Sequence, residues 1–382
     1  MIKFLKKIYI FIKSEKLFFP PKNKKILVFD GNNNPFEHYI LKNDMEVLFT
    51  RGEKINLFIL LKCLLKNKLD VNNYLKEYIK YVNPKLILTF IDNSRIFYSI
   101  HKIANCKTAF VQNGIRSEWS DIFSEKSVVQ KKNLNKFRVD YMFVFNNTIG
   151  KLYNSFISGK YITIGSFNNN IRKKNKAKKK KEILLISTYR DYNLNRIIDK
   201  NKNVTWGEFT KNDHFFIKWL NEFAEKDGIK INILGRYSIK KTKMEFEYFK
   251  KFFKKKNFNY ISNYAGRDTY KIVDGYEYIF TIDSTLGIES FARGIRTGFF
   301  ANRPNRHPIV TRKFGWMEKL RNNGPFWTHL NNKKQLKRIY NTVVNIDYSK
   351  WKKVSKKYEK KIMPFDEKNK IFNKIIKKIV NK

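Results

Sequence analysis

The 382-residue sequence is 42% hydrophobic and 16% aromatic against 30% charged, which is typical of a globular protein and excludes an intrinsically disordered chain. Its 80 Lys and Arg residues against 33 Asp and Glu residues give a formal charge of +47, so polyanions are expected partners: nucleic acid, anionic lipid or a phosphorylated substrate. An AT-rich genome would also supply this Lys-, Asn-, Ile- and Phe-rich composition, so charge alone does not identify the partner. Cys63 and Cys106 lack the spacing of a disulfide framework or a zinc site and favour a reducing, cytoplasmic setting.

The N-terminal segment is basic and apolar. Five apolar residues recur at helical spacing between lysines and predict a basic helix over residues 1–24; they are Phe4, Leu5, Ile8, Phe11 and Ile12. The apolar run is too short and too charged to span a bilayer, and it makes a poor signal peptide. Two interpretations stay open: an ordinary terminal helix, or an interfacial helix docked peripherally on the inner face of the cytoplasmic membrane.

Residues 25–170 contain six short apolar runs bounded by turn residues, with helical patterns between them. This alternation is typical of parallel strands joined by crossover helices, so we expect a Rossmann-like N-terminal domain. The runs are KILVFDG (25–31), EVLFTRG (46–52), KLILTFIDN (85–93), TAFVQNG (108–114), DYMFVFNN (140–147) and YITIGS (161–166).

A lysine-rich segment, residues 171–181, separates this domain from a second one and is predicted to be a solvated linker. The alternation then restarts, which predicts a second Rossmann-like domain over 182–345, followed by C-terminal helices over 346–382. Its strands are EILLISTYR (182–190), KINILGR (230–236), FNYISNY (258–264), YEYIFTIDS (276–284) and RTGFFANR (296–303). The predicted fold is α/β, with two Rossmann-like domains in tandem that face each other across a cleft.

Ligands of open α/β sheets bind beyond the carboxyl ends of the strands, so the residues that follow each run are candidates for a site. They are Asp30, Gly31, Arg51, Gly52, Asp92, Asn93, Gln112, Asn113, Gly114, Asn146, Arg190, Gly235, Arg236, Asn263, Asp283, Ser284, Thr285, Asn302 and Arg303.

The segment TIDSTLGIES (281–290) ends a predicted strand and begins a helix, whose free N–H groups and positive dipole end favour an anion. Ser284 and Thr285 add hydroxyl donors, and Gly287 allows a phosphate to approach closely. Glu289 can accept hydrogen bonds from the sugar hydroxyls of a nucleotide. The structural alternatives are an N-cap at Ser284 or Thr285, and an ion pair between Glu289 and Arg293.

Four segments together resemble a known family. DSTLGIESFARG followed by RTGFFANR resembles the donor-binding segment of GT-B glycosyltransferases. PKLILTFIDN, AFVQNGIR and ITIGSFNNN, in that order, are similar to bacterial surface carbohydrate biosynthesis proteins of lipopolysaccharide-type loci, over roughly residues 25–305. The resemblance implies a nucleotide sugar in the C-terminal domain, on Ser284, Thr285, Gly287 and Glu289, and the acceptor in the N-terminal domain. It also implies that Arg236 meets the donor pyrophosphate.

Sugar transfer with inversion needs a base that takes the proton of the acceptor hydroxyl. Asp92 is the first candidate and Asp30 the second, with a helix cap near Ser94 as the structural alternative for Asp92. The predicted acceptor-binding residues are Asn93, Gln112, Asn113, Gly114 and Arg116, although VQNGIR (111–116) also fits a plain Asn-Gly turn.

The sequence predicts no metal and no cofactor beyond the nucleotide-sugar substrate. Its five histidines share no metal-ligand spacing, and neither a DxD triplet nor a P-loop occurs. His307 remains a weaker candidate for a donor contact.

Three functions follow from these patterns. The leading one is a metal-independent glycosyltransferase acting on a surface polysaccharide or a lipid-linked glycan. A sugar-nucleotide 2-epimerase of the same fold is the first alternative. A nucleic-acid-binding protein is the second, and it is disfavoured because most aromatic residues lie in apolar patterns typical of a core.

Overall fold

The computed structural model describes residues 9–31, 34–116, 137–174, 178–190, 195, 197–199, 204–236, 239–253, 258–262, 268–303, 314–315, 318 and 320–381. Residues 1–8 of the predicted N-terminal helix, part of the lysine-rich segment, Asn263 and His307 lie outside these residues. The chain divides into two compact units. The first comprises the described residues up to Gly114, residues 137–171 and Asp366 onwards, and the second comprises Ile115, Arg116 and the described residues from Arg172 to Phe365.

A six-stranded parallel sheet forms the centre of the first unit, with the order β3-β2-β5-β6-β7-β8. A separate parallel pair joins β1 to β4. The strands are β1 (Glu15–Leu17), β2 (Ile26–Phe29), β3 (Met45–Leu48), β4 (Lys54–Asn56), β5 (Leu86–Thr89), β6 (Lys107–Val111), β7 (Arg138–Val144) and β8 (Ser158–Thr163). Strands β2 and β5 are buried along their whole length, as expected for a parallel sheet covered on both faces.

Helices connect these strands and begin at side-chain caps. They are α1 (Leu57–Leu65), α2 (Val71–Val82), α3 (Arg95–Tyr98), α4 (Asn147–Asn154) and α5 (Phe167–Ile171). The side chains of Asn56, Asp70 and Asn146 accept hydrogen bonds from the first turns of α1, α2 and α4. Since β3 and β5 lie on opposite sides of β2, the chain reverses direction in the sheet between β2 and β5.

The second unit contains a seven-stranded sheet with the order β13-β12-β9-β14-β15-β17-β16, in which only β16 is antiparallel to its neighbour. A short antiparallel pair, β10 with β11, lies apart from it. The strands are β9 (Lys180–Ile186), β10 (Ile197–Asp199), β11 (Val204–Thr205), β12 (Ile231–Leu234), β13 (Phe258–Ile261), β14 (Tyr276–Thr281), β15 (Arg296–Phe300), β16 (Asn323–Gly324) and β17 (Trp327–Thr328).

The helices of this unit are α6 (Trp206–Thr210), α7 (Asp213–Lys226), α8 (Ile239–Lys250), α9 (Thr269–Asp274), α10 (Thr285–Ala292), α11 (Lys333–Asn345) and α12 (Tyr348–Ile362). From β9 the chain proceeds outward through β12 and β13, then returns to β14 on the other side of β9. The switch point between β9 and β14 is therefore where a crevice opens at the carboxyl edge of an α/β sheet.

The last helix, α13 (Lys370–Val380), belongs to the first unit. Its Phe372 and Ile376 are buried in the core of that unit, and Phe372 contacts Phe36 and Phe167 with ring centroids 5.8 and 4.9 Å apart. The chain thus differs from the predicted boundaries at three places. Within the predicted N-terminal helix, Glu15–Leu17 form the strand β1 because they pair with β4. Residues 366–381 return to the first unit because their apolar face packs there, and β9 begins at Lys180, within the lysine-rich segment.

The α/β class with parallel sheets and a helical C-terminal region is confirmed by this architecture. None of the described helices is long and apolar enough to cross a membrane.

Candidate functional site

A cavity of about 710 Å³ opens at the carboxyl end of β9, in the second unit. Residues Ser187 to Arg190, which follow β9, form one wall, and residues of α7 and α8 form others. Four basic side chains line the cavity: Arg190, Lys211, Lys243 and Lys251. Two carboxylates, Asp213 and Glu247, also line it. Since Asp213 is paired with a buried arginine, described next, the cavity presents a net positive lining.

Arg303 follows β15 and connects three elements next to this cavity: the start of α7 and the ends of β9 and β14. Its guanidinium donates to both carboxylate oxygens of Asp213 at 3.1 and 2.7 Å and to Asp283 at 2.8 Å. It also donates to the hydroxyl of Thr188 at 3.2 Å. Burial alone would lower the pKa of Arg303, but Asp213 and Asp283 outweigh it and raise that pKa. The guanidinium therefore stays charged and connects α7 to the ends of β9 and β14.

Glu245 connects the ends of β9 and β12 through hydrogen bonds. It is fully buried, and both of its oxygens accept the backbone N–H of Arg236 at 3.0 Å. The hydroxyl of Tyr260 donates to it at 2.9 Å, and the hydroxyl of Ser187 also donates to it. Burial raises the pKa of Tyr260, and the negative charge of Glu245 raises it further. One carboxylate from α8 thus fixes two loops at the edge of the cavity.

The helix start singled out in the sequence lies at the end of β14. Ser284 is the N-cap residue of α10 by position, but its hydroxyl makes no capping hydrogen bond. Thr285 is the first residue of the helix, and both residues are partly exposed. The alternative of a hydroxyl cap at Ser284 is therefore wrong, and the hydroxyl is not committed to the helix.

Gly287 has a packing role that the sequence did not predict. It is buried, and a Cβ at this position would meet Cγ2 of Thr281 at 2.5 Å and the ring of Phe299 at 3.5 Å. Close packing of α10 on β14 and β15 thus accounts for the glycine. The approach of a phosphate at Gly287 stays a prediction beside this packing role.

Glu289 is 7% exposed and forms a hydrogen bond with the hydroxyl of Tyr270. Burial raises the pKa of Tyr270, and the negative charge and hydrogen bond of Glu289 raise it further. Arg293 is bound to Asp274, through Nε at 2.7 Å and through a second contact, and to the carbonyl of Lys173 at 2.9 Å. The structural alternative of an ion pair on the helix surface is wrong, because Glu289 and Arg293 are both buried.

Arg236 follows β12 and is exposed at the same carboxyl edge. Its backbone N–H donates to the carboxylate of Glu245, and this hydrogen bond fixes the end of β12. The residue itself is exposed to solvent. The preceding Gly235 has no room for a side chain, since a Cβ would meet the hydroxyl oxygen of Tyr260 at 2.1 Å.

Asp92 follows β5 in the first unit and is fully buried. Its carboxylate accepts the hydroxyl of Tyr153 and the backbone N–H of Asn113 at 3.2 Å, and its carbonyl accepts the hydroxyl of Tyr98. The cap of α3 is the side chain of Ser94. Asp92 therefore neither caps that helix nor faces solvent, and it connects the ends of β5 and β6 to α4.

Asp30 follows β2, at the point between β2 and β5 where the chain reverses direction in the first sheet. Its environment is unusual. It is 6% exposed and adopts a left-handed backbone conformation with φ of 61°. Its Oδ2 accepts from Nε of Arg51 at 2.7 Å, whereas its buried Oδ1 has no hydrogen-bond partner among the described residues. A buried carboxylate oxygen without a partner is costly and calls for an explanation.

The predicted acceptor-binding residues have mixed environments. Asn93 and Asn113 are exposed, and Gly114 has no heavy atom within 4 Å of the place of a Cβ. Gln112 is buried and joins β6 to β7, because Oε1 accepts the N–H of Phe145 and Nε2 donates to the carbonyl of Gly114, both at 2.9 Å. Arg116 groups with the second unit.

The sequence did not single out the two residues that organise the carboxyl edge of the second sheet. Arg303 was one of many strand-end residues, and Glu245 lies on a helix where nothing in the sequence marks it. For Arg303 the only signal is its place after a strand; its two carboxylate partners lie 20 and 90 residues away.

No cluster of three or more His, Cys, Asp or Glu side chains suited to a metal ion occurs among the described residues. The metal independence of the protein therefore remains a prediction.

Solved structures with a similar fold include a Listeria monocytogenes protein assigned as a UDP-N-acetylglucosamine 2-epimerase, with TM-score 0.55 and 12% identity, covering 94% of this chain and 98% of that chain. The UDP-GlcNAc 2-epimerase of Neisseria meningitidis bound to UDP-GlcNAc has TM-score 0.51 and 12% identity, with 92% and 99% covered. The wall teichoic acid polymerase TagF soaked with CDPG has TM-score 0.51 and 12% identity, with 94% and 89% covered. At this identity the likeness establishes the fold alone, which is GT-B-like.

A search of curated proteins gives no significant match. Residues 109–380 match the model of a family described as O-antigen biosynthesis proteins. The resemblance to bacterial surface carbohydrate biosynthesis proteins is thereby confirmed, and the chain belongs to this O-antigen biosynthesis protein family.

Proposed function

We propose that the protein is a glycosyltransferase that moves a sugar from a nucleotide-sugar donor to a surface glycan. The observation that carries this proposal is the basic cavity beside the switch point of the second sheet. Its volume of about 710 Å³ lies within the range of small-molecule sites. Family membership and the GT-B-like fold support a substrate of this class.

The donor diphosphate is proposed to bind the basic side chains of this cavity. Arg190 stacks over Trp206, with 5.6 Å between the guanidinium carbon and the ring centroid, so its planar fork is presented from a fixed position. Lys211, Lys243 and Lys251 are exposed at the rim. These cations would stabilise the charge that develops on the leaving nucleoside diphosphate. Arg236, Ser284 and Thr285, with Glu289 deeper in α10, remain proposed donor ligands.

For the base we propose Asp30 in place of Asp92. Both oxygens of Asp92 are occupied inside the first unit, whereas Oδ1 of Asp30 has no partner there. An acceptor hydroxyl would supply the missing hydrogen bond and would lose its proton to Asp30 as its oxygen attacks the anomeric carbon. The exposed amides of Asn93 and Asn113 are proposed to contact the same acceptor.

A sugar-nucleotide 2-epimerase is the second candidate. The observation that favours it is the extent of the fold likeness, because the two 2-epimerase structures are covered over 98% and 99% of their length. An epimerase would use the same donor cavity and would need no acceptor.

The first experiment is a thermal-shift screen of the purified protein against UDP, GDP, dTDP, CMP and CDP and their sugar forms. Since a ligand of the native state raises the unfolding midpoint, we expect a shift with one nucleotide class. The shift should be lost in the double variant Lys243→Gln/Lys251→Gln and kept in Lys226→Gln, a control at the end of α7 that does not line the cavity. No shift with any nucleotide at millimolar concentration would refute the donor site.

The second experiment separates the two candidates. Release of free nucleotide only when a glycan acceptor is added supports the transferase. Formation of the 2-epimer without an acceptor supports the epimerase instead. Asp30→Asn should abolish acceptor-dependent release while the nucleotide-induced thermal shift remains.

A further inference from the structure

The helix α1 (Leu57–Leu65) in the first unit is apolar on both its inner and its outer side. Its sequence LFILLKCLL contains one charged residue, Lys62. Ile59 and Cys63 point inward and are buried. Three leucines on the opposite side are 53%, 54% and 72% exposed; they are Leu61, Leu64 and Leu65. A helix that is apolar all round is normally covered on all sides, so the outer side of α1 lacks the polar residues of a water-facing helix.

A second exposed apolar segment lies beside the start of this helix. Strand β1 pairs with β4, which immediately precedes α1, and Leu17 is in register with Asn56. The side-chain amide of Asn56, the N-cap of α1, donates to the carbonyl of Phe19 at 2.9 Å. Phe18 and Phe19 are 69% and 84% exposed. We call these two phenylalanines and the three exposed leucines of α1 the apolar face.

Basic residues surround the apolar face. Residues 9–24 and 57–77 contain eight lysines against three carboxylates, Glu15, Asp70 and Glu77. All three carboxylates have partners within the unit: Glu15 pairs with Lys54 at 2.8 Å, Glu77 pairs with Lys66 at 2.6 Å, and Asp70 accepts the N–H of Asn73 in α2. The surroundings of the apolar face are therefore strongly cationic.

We propose that the apolar face docks on an anionic lipid surface. Exposed leucine and phenylalanine side chains would enter the boundary between headgroups and acyl chains, and the lysines around them would contact anionic headgroups. The proposal uses side chains outside the donor cavity and does not depend on the proposed function.

Charge and side-chain chemistry favour this occupant over others. A second copy of the chain would bring the same lysines together, which like-charge repulsion opposes. A nucleic acid would satisfy the lysines, but aliphatic leucines offer no flat ring on which bases stack. A lipid surface satisfies both the apolar and the basic side chains.

The test is flotation of the full chain with phosphatidylcholine vesicles that contain or lack phosphatidylglycerol, without nucleotide. We expect binding only to the anionic vesicles. The triple variant Leu61→Ser/Leu64→Ser/Leu65→Ser should bind the anionic vesicles at least about tenfold more weakly than the wild type, because the serines lose the free energy of apolar burial. The control Leu41→Ser replaces a leucine that is 73% exposed outside the two segments and should bind like the wild type. Circular dichroism confirms that each variant is folded.

A second variant tests the basic contribution. Lys13→Gln/Lys68→Gln should weaken binding to anionic vesicles and make it less sensitive to salt. The proposal is overturned if the wild type does not float with anionic vesicles, or if the triple variant binds as well as Leu41→Ser. It is also overturned if the triple substitution instead dissociates a dimer of the wild type or abolishes its binding to an oligonucleotide.

Discussion

Replacing Gly287 by alanine tests whether this glycine serves the packing of α10 or the approach of a phosphate. The added Cβ would lie 2.5 Å from Cγ2 of Thr281, a residue with no exposed surface. The two carbons must separate by close to an ångström to reach ordinary van der Waals contact. Since Phe299 lies on the same side of the helix at 3.5 Å, α10 has little room to shift along the sheet.

Two opposing effects set the magnitude. Overpacking of a core costs about 1–3 kcal/mol, and alanine gains about 1 kcal/mol over glycine inside a helix. We therefore expect Gly287→Ala to lower the free energy of unfolding by about 0–2 kcal/mol. The net value alone is ambiguous, so a double-mutant cycle with Thr281→Ser is the decisive design.

Thr281→Ser removes the methyl group that would clash and retains the hydroxyl, which donates to the carbonyl of Ile186 at 3.2 Å. In the double variant the new Cβ of residue 287 occupies the vacated space. We expect a favourable coupling of about 1–3 kcal/mol between the two substitutions, measured by urea denaturation. Gly114→Ala is the control, because no heavy atom lies within 4 Å of its Cβ position, and its effect should stay within about 0.5 kcal/mol.

A coupling below about 0.5 kcal/mol would refute the packing explanation. If Gly287→Ala were in addition as stable as the wild type but lost the nucleotide-induced thermal shift, the glycine would serve phosphate approach after all.

Three further predictions concern ionisable side chains. Arg303→Met leaves Asp213 without its buried partner, so urea denaturation should show a loss of about 3–5 kcal/mol; a loss under 1 kcal/mol would contradict the ion-pair role. Glu245→Gln replaces one accepting oxygen by a donor that faces other donors and should cost about 1–3 kcal/mol in the same assay. Burial, with a contribution from the nearby carboxylate of Asp140, raises the pKa of Cys106 to about 11, so its alkylation by iodoacetamide should be slow at pH 8 and accelerate towards pH 11. Asp140→Asn should shift that alkylation profile to lower pH, and an unchanged profile would exclude the electrostatic contribution.

Local patterns were sufficient for the elements and for the fold class. The apolar runs at Ile26–Phe29 and Leu86–Thr89 are fully buried strands, because a parallel sheet covered on both faces requires continuous apolar residues. The carboxyl edges could also be located, since the rule that places ligands there depends only on strand direction. This rule placed Asp30 and Ser284 at the carboxyl edges of the two sheets.

Partners distant in the sequence could not be predicted. Asp92 looked like a free strand-end carboxylate, yet Tyr153, 61 residues later, donates its hydroxyl to it. Arg293 seemed placed to pair with Glu289 on the surface of its helix, but its guanidinium is buried and bound to Asp274, the last residue of α9. Helix spacing allows the local pair, whereas burial decides in favour of the partner that also satisfies the desolvated charge.

The sequence by itself determined which segments become strands and helices and which strand ends carry polar side chains, because these properties depend on periodicity over a few residues. Only the tertiary structure decided which carboxylates accept hydrogen bonds inside the protein, that a side chain at position 287 would clash with Thr281, and that the last helix packs on the first unit. Those outcomes depend on contacts between residues far apart in the chain, and no local pattern encodes them.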